Sequence, residues 1–368
     1  AVQLTPEFPP AHALIGQIHL EQGRPQEALT AYLTACALDP TQARAYYALG
    51  VTYAQLQEPT QALSALQKAL ELQPQLHGAC DALGQVHEAL GDDAAALAAY
   101  TRAVELQPQN GSYALHAGIV AQRLGQHETA QTLLEQALPL LPEHPALHYH
   151  LGLAYQQQEA WEKALTAFRK SVTLQPEAPD YHAQLATTAF RLGQLEEAEH
   201  AARQALAQRP GDPEICLLLG QIAEAGKRYE EARAYYQETL TAQPANLVAR
   251  SRLAAMLLEL HRYHEAEAAL EEGLRLAPEM AALHHGMARL HAARGAVEQA
   301  LAAFDRALTL DPQQPHYLLD KARLLYEQQQ PHIGIAKTAS PTANVRFQGI
   351  VTYTVVFSNT GTTDPAVI

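Results

Sequence analysis

Residues 43–76 read ARAYYALGVTYAQLQEPTQALSALQKALELQPQL, and the same pattern returns every 34 residues along the chain. Three columns keep this spacing without insertion or deletion, one of proline, one of alanine and one of small residues. Their members are Pro40, Pro74, Pro108, Pro142, Pro176, Pro210, Pro244, Pro278 and Pro312; Ala28, Ala62, Ala96, Ala130, Ala164, Ala198, Ala232, Ala266 and Ala300; and Gly16, Gly50, Gly84, Gly118, Gly152, Ala186, Gly220, Ala254, Ala288 and Ala322. A fixed period of this length indicates a solenoid of repeated units.

Each column has a physical role in a pair of antiparallel helices. A small residue lets the first helix approach the second closely, and the alanine allows the same approach from the second helix. The proline ends the second helix because it cannot continue the backbone hydrogen bonding. Apolar residues recur between these columns at helical spacing, as in Leu49, Tyr53, Leu63, Leu66 and Leu70. A single unit cannot bury its own apolar face, so successive units must stack on one another.

The order Tyr46, Leu49-Gly50, Tyr53, Ala62, Leu66 and Pro74 resembles the tetratricopeptide repeat. The resemblance implies an all-α fold, a right-handed superhelix of nine helix-turn-helix repeats with a concave inner wall. We predict an N-terminal extension over 1–8, a solenoid over 9–330 and a capping helix over 315–330, in which Lys321 and Arg323 let the outer face meet water. The predicted repeats are 9–42, 43–76, 77–110, 111–144, 145–178, 179–212, 213–246, 247–280 and 281–314.

Composition excludes two classes of function. The 368 residues carry 25 Lys and Arg against 39 Asp and Glu, a net charge of −14, and 48% of them are hydrophobic. This acidic balance argues against a nucleic-acid backbone as partner, and no apolar run is long enough for a membrane helix. Three cysteines form an odd set, so no disulfide framework is implied. The chain begins at Ala1 without Met, which leaves a removed leader or a fragment as alternatives.

The resemblance places binding on the concave wall, which the first helices line. Applying the family geometry, we expect a groove of apolar residues interleaved with polar ones, and we expect it to bind a protein or peptide segment. The apolar set is Tyr47, Val51, Leu115, Ile119, Tyr149, Leu153, Phe190, Leu217 and Leu258. The polar set is Arg44, Asp81, Gln85, Glu88, Arg123, Gln156, Arg191, Gln221 and Glu224. Since the chain has only four Asn, none of them on a first helix, we expect no carboxylate clamp of the kind that chaperone-binding members use.

No motif in the repeats predicts catalysis, a cofactor or a metal. The densest histidine group is His148, His150 and His182, but no cysteine or carboxylate completes a ligand set at a recognisable spacing. The His-Glu pairs lack the second histidine that a zinc protease helix requires. We therefore predict a non-enzymatic chain. Asn110-Gly111-Ser112 forms a glycosylation sequon in a turn between repeats, and chance is the more frequent cause of such a match.

The tail from 331 to 368 has a different composition, rich in Thr, Val, Ser, Asn and Gly. Residues 350–357 read IVTYTVVF, which predicts a strand with Val351, Tyr353, Val355 and Phe357 on one face. The segments IAKTASP and VTYTVVFSNTG resemble the opening of an immunoglobulin-like repeat domain of prokaryotic surface proteins. Two or three strands cannot bury a sandwich core, so the tail must pair with other strands, stay disordered or belong to a longer chain.

Three functions compete on this basis. The preferred one is a scaffold that binds polypeptide and associates head to tail through its C-terminal strands, as a fibril subunit outside the cell or at its surface. The second is a cytoplasmic adaptor whose concave groove binds a soluble partner. The third is the regulatory region of a larger enzyme. The heterologous contact of a tail on the next molecule propagates into a filament unless its rotation closes.

Overall fold

The computed structural model describes residues 8–329, and every regular element within them is an α-helix. The helices are α1 (Pro9–Glu21), α2 (Pro25–Leu38), α3 (Ala43–Gln55), α4 (Pro59–Leu72), α5 (His77–Ala89), α6 (Asp93–Leu106), α7 (Gly111–Arg123), α8 (His127–Ala137), α9 (Pro145–Gln157), α10 (Trp161–Leu174), α11 (Pro179–Arg191), α12 (Leu195–Gln208), α13 (Pro213–Ala225), α14 (Tyr229–Ala242), α15 (Leu247–Glu259), α16 (Tyr263–Leu276), α17 (Ala281–Ala293), α18 (Val297–Leu310) and α19 (Pro315–Gln329). The predicted strand with Val351, Tyr353, Val355 and Phe357 lies outside the described residues.

The odd-numbered helices begin at Pro9 and then at every thirty-fourth residue, so two helices occupy each period as predicted. We refer to the odd-numbered helices as first helices and to the even-numbered helices as second helices. Positions within a repeat are counted from the first residue of its first helix, which makes Ala43 and His77 both position 1. Each first helix packs on the second helix of its own repeat, and each second helix through α16 packs on the next first helix.

The column of small residues lies where each first helix packs closely on its second helix, in most repeats against a large side chain at position 24. A Cβ atom built on Gly152 would lie 2.5 Å from Cε1 of Phe168, and one built on Gly220 would lie 2.4 Å from Cε1 of Tyr236. Real Cβ atoms do not approach other atoms so closely, so only glycine admits these rings. In the repeat at 179–212 the same two positions hold Ala186 and Ala202, and both are fully buried. In the repeat at 281–314, however, the buried Ala288 and Phe304 hold these positions, so position 8 requires a small residue, and glycine only where the ring lies as close as it does to Gly152 and Gly220.

The turn between the helices of each repeat holds a second column, which the sequence analysis did not identify. Position 15 has a positive φ in many repeats, as at Gly91 (φ 76°) and Gly193 (φ 72°). Four repeats place another residue there, Gln57, Glu159, Lys227 and His261, with φ between 56° and 59°. A side chain in this left-handed region costs free energy that glycine does not.

The chain divides into two compact units, residues 1–312 and residues 313–368. In the second unit the structure describes α19. Arg323 of this helix is exposed and forms a 3.1 Å ion pair with Glu327. Leu318, Leu319 and Tyr326, however, are 53%, 60% and 66% exposed, so the helix is more apolar on its surface than a cap requires. Among the described helices, none combines the length and hydrophobicity that crossing a membrane demands.

Candidate functional site: the first-helix face

The candidate site is the surface formed by positions 2, 5, 9, 12 and 13 of the first helices, which we term the first-helix face. First helices of neighbouring repeats contact one another, as α1 does α3 and α7 does α9. Side chains at these positions therefore form a continuous strip across repeats. The strip contains the residues predicted from the sequence, and the structure separates them into three groups.

The first group lies on α3 and α5. Tyr47 and Val51 are half-buried and pack against the cluster that contains Leu66 and Val86. The hydroxyl of Tyr47 lies over Gly78, where an added Cβ would approach Oη to 3.3 Å. Burial raises the pKa of Tyr47, and the nearby Asp81 carboxylate adds to the effect. The tyrosine therefore stays a neutral hydrogen-bonding group with one apolar face.

Asp81 is the centre of a polar cluster on this strip. Its Oδ1 lies 2.9 Å from Nδ1 of His116, and its Oδ2 accepts a 2.8 Å hydrogen bond from Gln85. Its charge also contributes to the raised pKa of Tyr100 and Tyr113. Among residues 8–329 no Lys or Arg pairs with this carboxylate, and His116 is its cation only when protonated.

The second group consists of Leu115 and Ile119 on α7 and Leu258 on α15. Ile119 is half-buried against the cluster that contains Leu115. Leu115 and Leu258 differ from the expectation: they are 4% and 7% exposed and belong to core clusters. Their side chains fill the space between neighbouring helices and offer almost no surface to a ligand.

The third group lies on α9, α11 and α13. Tyr149, Leu153 and Phe190 are half-buried against one cluster, and Leu217 packs against the next. The ring of Tyr149 stacks on that of Tyr181 with centroids 4.7 Å apart and planes at 26°. Burial raises the pKa of Tyr149, as does the neighbouring Asp180. This group forms an aromatic patch, and part of its apolar surface is already buried by contacts within the fold.

Most of the polar residues predicted for the wall are engaged between repeats. Arg123 donates to Glu88 at 2.6 Å and to Asp93 at 2.7 Å, and Tyr100 also donates to Glu88. The arrangement recurs at Glu224, which accepts from Tyr236 and, at 2.9 Å, from Arg252. Gln156 donates to Thr188 at 2.8 Å. These groups hold neighbouring repeats together, so they are less available to a ligand.

The sequence analysis missed these bridges although a signal was present. Opposite charges separated by slightly less or slightly more than one repeat form ion pairs, as in Asp81–His116, Glu88–Arg123 and Glu224–Arg252. The period places such residues on adjacent helices. A search for complementary charges at this separation would have found them.

Two arginines of the strip remain without a carboxylate among the described residues. Arg44 at position 2 of α3 is exposed and forms none of the described ion pairs. Arg191 at position 13 of α11 lies over the ring of Trp161, with Cζ 5.7 Å from the ring centroid. Arg44 also lines a cleft of about 700 Å³ between α1 and α3, with Pro10, Leu14 and Gln17 on the opposite side. Its lining mixes apolar side chains such as Ala13, Leu14 and Leu72 with the polar Gln42 and Gln73 and the cation of Arg44.

The histidines that were considered as metal ligands form hydrogen bonds within the fold. His148, His182 and His284 occupy position 4 and each places Nε2 2.8 Å from the carbonyl of a proline six residues earlier. His150 is largely buried, and burial together with Arg123 lowers its pKa to about 4. Its neutral ring donates from Nδ1 to Gln122 Oε1 at 2.7 Å. Within residues 8–329 no three His, Cys, Asp or Glu side chains gather in a way that could hold a metal ion.

The three cysteines, Cys36, Cys80 and Cys216, are free and buried. Burial raises the pKa of Cys36 to about 11 and that of Cys216 to about 12. Such thiols remain protonated and are poor nucleophiles. Asn110, the candidate glycosylation residue, caps the N-terminus of α7, and its Oδ1 accepts a 3.2 Å hydrogen bond from the backbone N–H of Ser112.

Family models agree with this architecture. The model described as Cilia and flagella-associated protein 70 C-terminal domain, a tetratricopeptide-repeat region, matches residues 77–285, more than half of the chain. The chain belongs to this tetratricopeptide-repeat family. Two further tetratricopeptide-repeat models match residues 16–57 and 43–76. These models describe repeats, and none describes an enzyme. No curated protein sequence matches the chain.

Solved tetratricopeptide-repeat structures resemble the chain as well. pilF of Pseudomonas aeruginosa is 23% identical with a TM-score of 0.50, and the match covers 59% of this chain and 97% of pilF. YrrB, described as a TPR protein with an unusual peptide-binding site, is 25% identical with a TM-score of 0.43, over 48% of this chain and 90% of that one. Yeast Tom70 is 14% identical with a TM-score of 0.41, over 87% and 96% of the two chains. The likeness to pilF shows the fold alone.

Proposed function

We propose that the chain is a non-enzymatic scaffold that binds a polypeptide segment along the first-helix face. The observation that carries the proposal is the cleft between α1 and α3, where Leu14 and Pro10 face Arg44, which has no carboxylate partner among residues 8–329. Apolar walls would accept an apolar anchor, and the guanidinium would favour an acidic neighbour in the same segment. Tyr47 and Val51 continue the apolar surface on α3 towards the next repeat.

The partner is a segment in extended or helical conformation, with one or two large apolar side chains and an acidic residue. Large apolar anchors provide most of the binding free energy in such interfaces, while the charge favours one orientation. No free C-terminal carboxylate is required, because the chain has no Asn and Lys pair on neighbouring first helices with which to hold one.

Selection of peptides from a random library on the full chain tests this proposal. Enriched peptides should share an apolar anchor followed or preceded by Asp or Glu. Arg44→Glu should weaken them by about tenfold, equivalent to ~1.4 kcal/mol, and more for the acidic peptides than for their Asn or Gln counterparts. Leu33→Glu is the matched control, because Leu33 is exposed on the second helix α2 and lies outside the cleft. Peptides that bind equally to R44E, or only with a free C-terminus, would contradict the proposal.

A second function, self-association outside the cell, rests on the sequence of the tail, which lies outside the described residues. In the strand that the sequence predicts over 350–357, one face would hold Val351, Tyr353, Val355 and Phe357, which is too apolar to remain in water, and an unpaired strand edge would template another chain. Val355→Glu in the full chain should then reduce the mass of the assembled particle in sedimentation velocity. A glycan on Asn110, detected by mass spectrometry of protein from the native source, would support export. An unmodified Asn110 in that material would not support it.

A further inference from the structure

The N-terminal end of the repeat stack presents an interface that the chain makes elsewhere but leaves open on α1. Position 10 of a first helix is covered in each of α3, α5, α7, α9, α11, α13, α15 and α17, where its side chain is at most 3% exposed, as for Val86, Ile222 and Leu290. At each of these helices the preceding second helix packs against it. On α1 the same position holds Ile18, which is 42% exposed.

The residues around Ile18 extend this open face. Leu14, which also lines the cleft with Arg44, lies one turn before Ile18 and is 58% exposed, and Phe8 at the start of the helix is 50% exposed. Solvating caps of repeat proteins carry polar residues on such a face. On α1, position 10 instead holds an apolar residue. In most other repeats this position is also apolar, and a neighbouring helix covers it.

A second open apolar face lies on α19. Leu318 and Leu325 are 53% and 38% exposed and are separated by two helical turns on one side of the helix. They occupy positions 4 and 11, where Cys216 and Ala223 of α13 are buried. Leu319 and Tyr326 lie beside them and are more exposed still. An exposed stripe of this length is more typical of an interface than of a solvated helix.

We propose that α19 of one copy packs on α1 of a second copy, so that copies join head to tail through helices. The contact would place α19 where a preceding second helix lies on each first helix from α3 to α17, with Leu318 and Leu325 covering Ile18. Charge disfavours contact between two N-terminal ends, since residues 1–144 carry 5 basic and 14 acidic residues, whereas α19 is neutral, with Lys321 and Arg323 against Asp320 and Glu327. The contact is heterologous, so it extends into longer assemblies unless it closes.

The inference rests on the proposal that the chain self-associates, but it assigns the contact to helices rather than to the strands of the tail. Sedimentation velocity of the full chain over a range of concentrations tests it. Ile18→Glu and Leu318→Glu should each abolish assembly, because each places a charge on one of the two faces. Leu90→Glu is the control, since Leu90 is 47% exposed at the end of α5 and lies on neither face.

Mixing the two variants provides the sharper test. I18E keeps an intact α19 face and L318E keeps an intact α1 face, so the mixture should form a dimer that grows no further. A mixture that stays monomeric would overturn the pairing of α1 with α19. Far-UV circular dichroism verifies that both variants remain helical, and dimer formation itself shows that each unchanged face is folded.

The remaining outcomes separate this inference from the proposed strand mechanism. If the full chain is monomeric at every concentration, both are wrong. If it assembles and I18E assembles equally well, the helical contact is wrong and self-association stands. If V355E abolishes assembly while I18E and L318E do not, the tail carries the contact. Loss of assembly in I18E and L318E with retention in V355E is the result that we expect.

Discussion

The contact between Phe168 and Gly152 gives a quantitative test of how the repeat register is encoded. Phe168 is fully buried, and its ring lies directly on the bare α-carbon of Gly152. Phe168→Ala removes the ring and leaves a cavity, which costs ~3–5 kcal/mol of unfolding free energy. Gly152→Ala forces the ring to move, which costs ~1–3 kcal/mol, and the better helix propensity of alanine returns ~1 kcal/mol. The net cost of the second variant is about 1 kcal/mol.

The double variant should be more stable than the sum of the singles predicts. With Phe168 gone, the new methyl group on residue 152 has no ring to displace and fills part of the cavity instead. The chain already contains this combination, since Ala186 and Ala202 occupy the same two positions and are both fully buried. We expect a coupling of about 1–2 kcal/mol, with the double variant at least as stable as Phe168→Ala alone.

The fluorescence of Trp161 provides a local assay. It is the only tryptophan of the chain and lies two turns before Phe168 on α10. A local probe is needed because repeat arrays unfold in parts, so a global signal would average over distant repeats. Urea titrations of the four proteins then give the coupling directly. If the loss in the double variant equals the sum of the two single losses, positions 8 and 24 are not matched by volume and the interpretation of the small column is wrong.

Three further predictions follow from other parts of the fold. Burial and Arg123 hold the pKa of His150 at about 4, below its ordinary 6.5, so the unfolded chain takes up the proton at a higher pH than the folded chain does. The free energy of unfolding should therefore fall by up to ~3 kcal/mol as the pH drops from 6.5 to 4. Urea titrations of His150→Gln should show a flatter dependence of stability on pH. Lys227→Gly should raise the melting temperature by relieving ~1 kcal/mol of backbone strain, and Gly193→Ala should lower it. Asn110→Ala should cost ~1 kcal/mol in urea unfolding by removing the cap of α7, whether or not a glycan is attached.

The register of the helices could be predicted from the sequence because it depends on local volume and backbone rules. The proline and small-residue columns each reflect one contact that every repeat must make, so their spacing fixes where the helices begin and pair. Position 15 shows the limit of this approach. Five glycines at this position have positive φ, yet Gln57, Glu159, Lys227 and His261 adopt the same conformation without the residue type that would reveal it. The turn is imposed by the helices that it joins.

The exposure of wall residues could not be predicted from their position alone. Leu115 and Tyr149 both occupy position 5, but Leu115 is buried whereas Tyr149 is half-buried. The difference arises from neighbouring repeats, which contribute different side chains around an equivalent site. Leu258 at position 12 is buried for the same reason, while Phe190 at the same position retains accessible surface. A repeat pattern specifies which face a residue lies on, and packing across repeats decides how much of it remains available.

In such a chain, the best candidates for a binding surface are the charged and apolar side chains that make no contact between repeats. Glu88, Arg123 and Glu224 have the residue types and positions of ligand-binding groups, yet each is engaged in a bridge between repeats. An ion pair that is already formed must be broken before a partner can use it, and the cost offsets much of the gain. Arg44 carries no such penalty among the described residues, and it faces a cleft with apolar walls. The same reasoning applies to Ile18, because the interface that covers its counterparts is missing on α1. The unused charge and the uncovered apolar face are therefore the two places where a partner would gain most free energy at least cost to the fold.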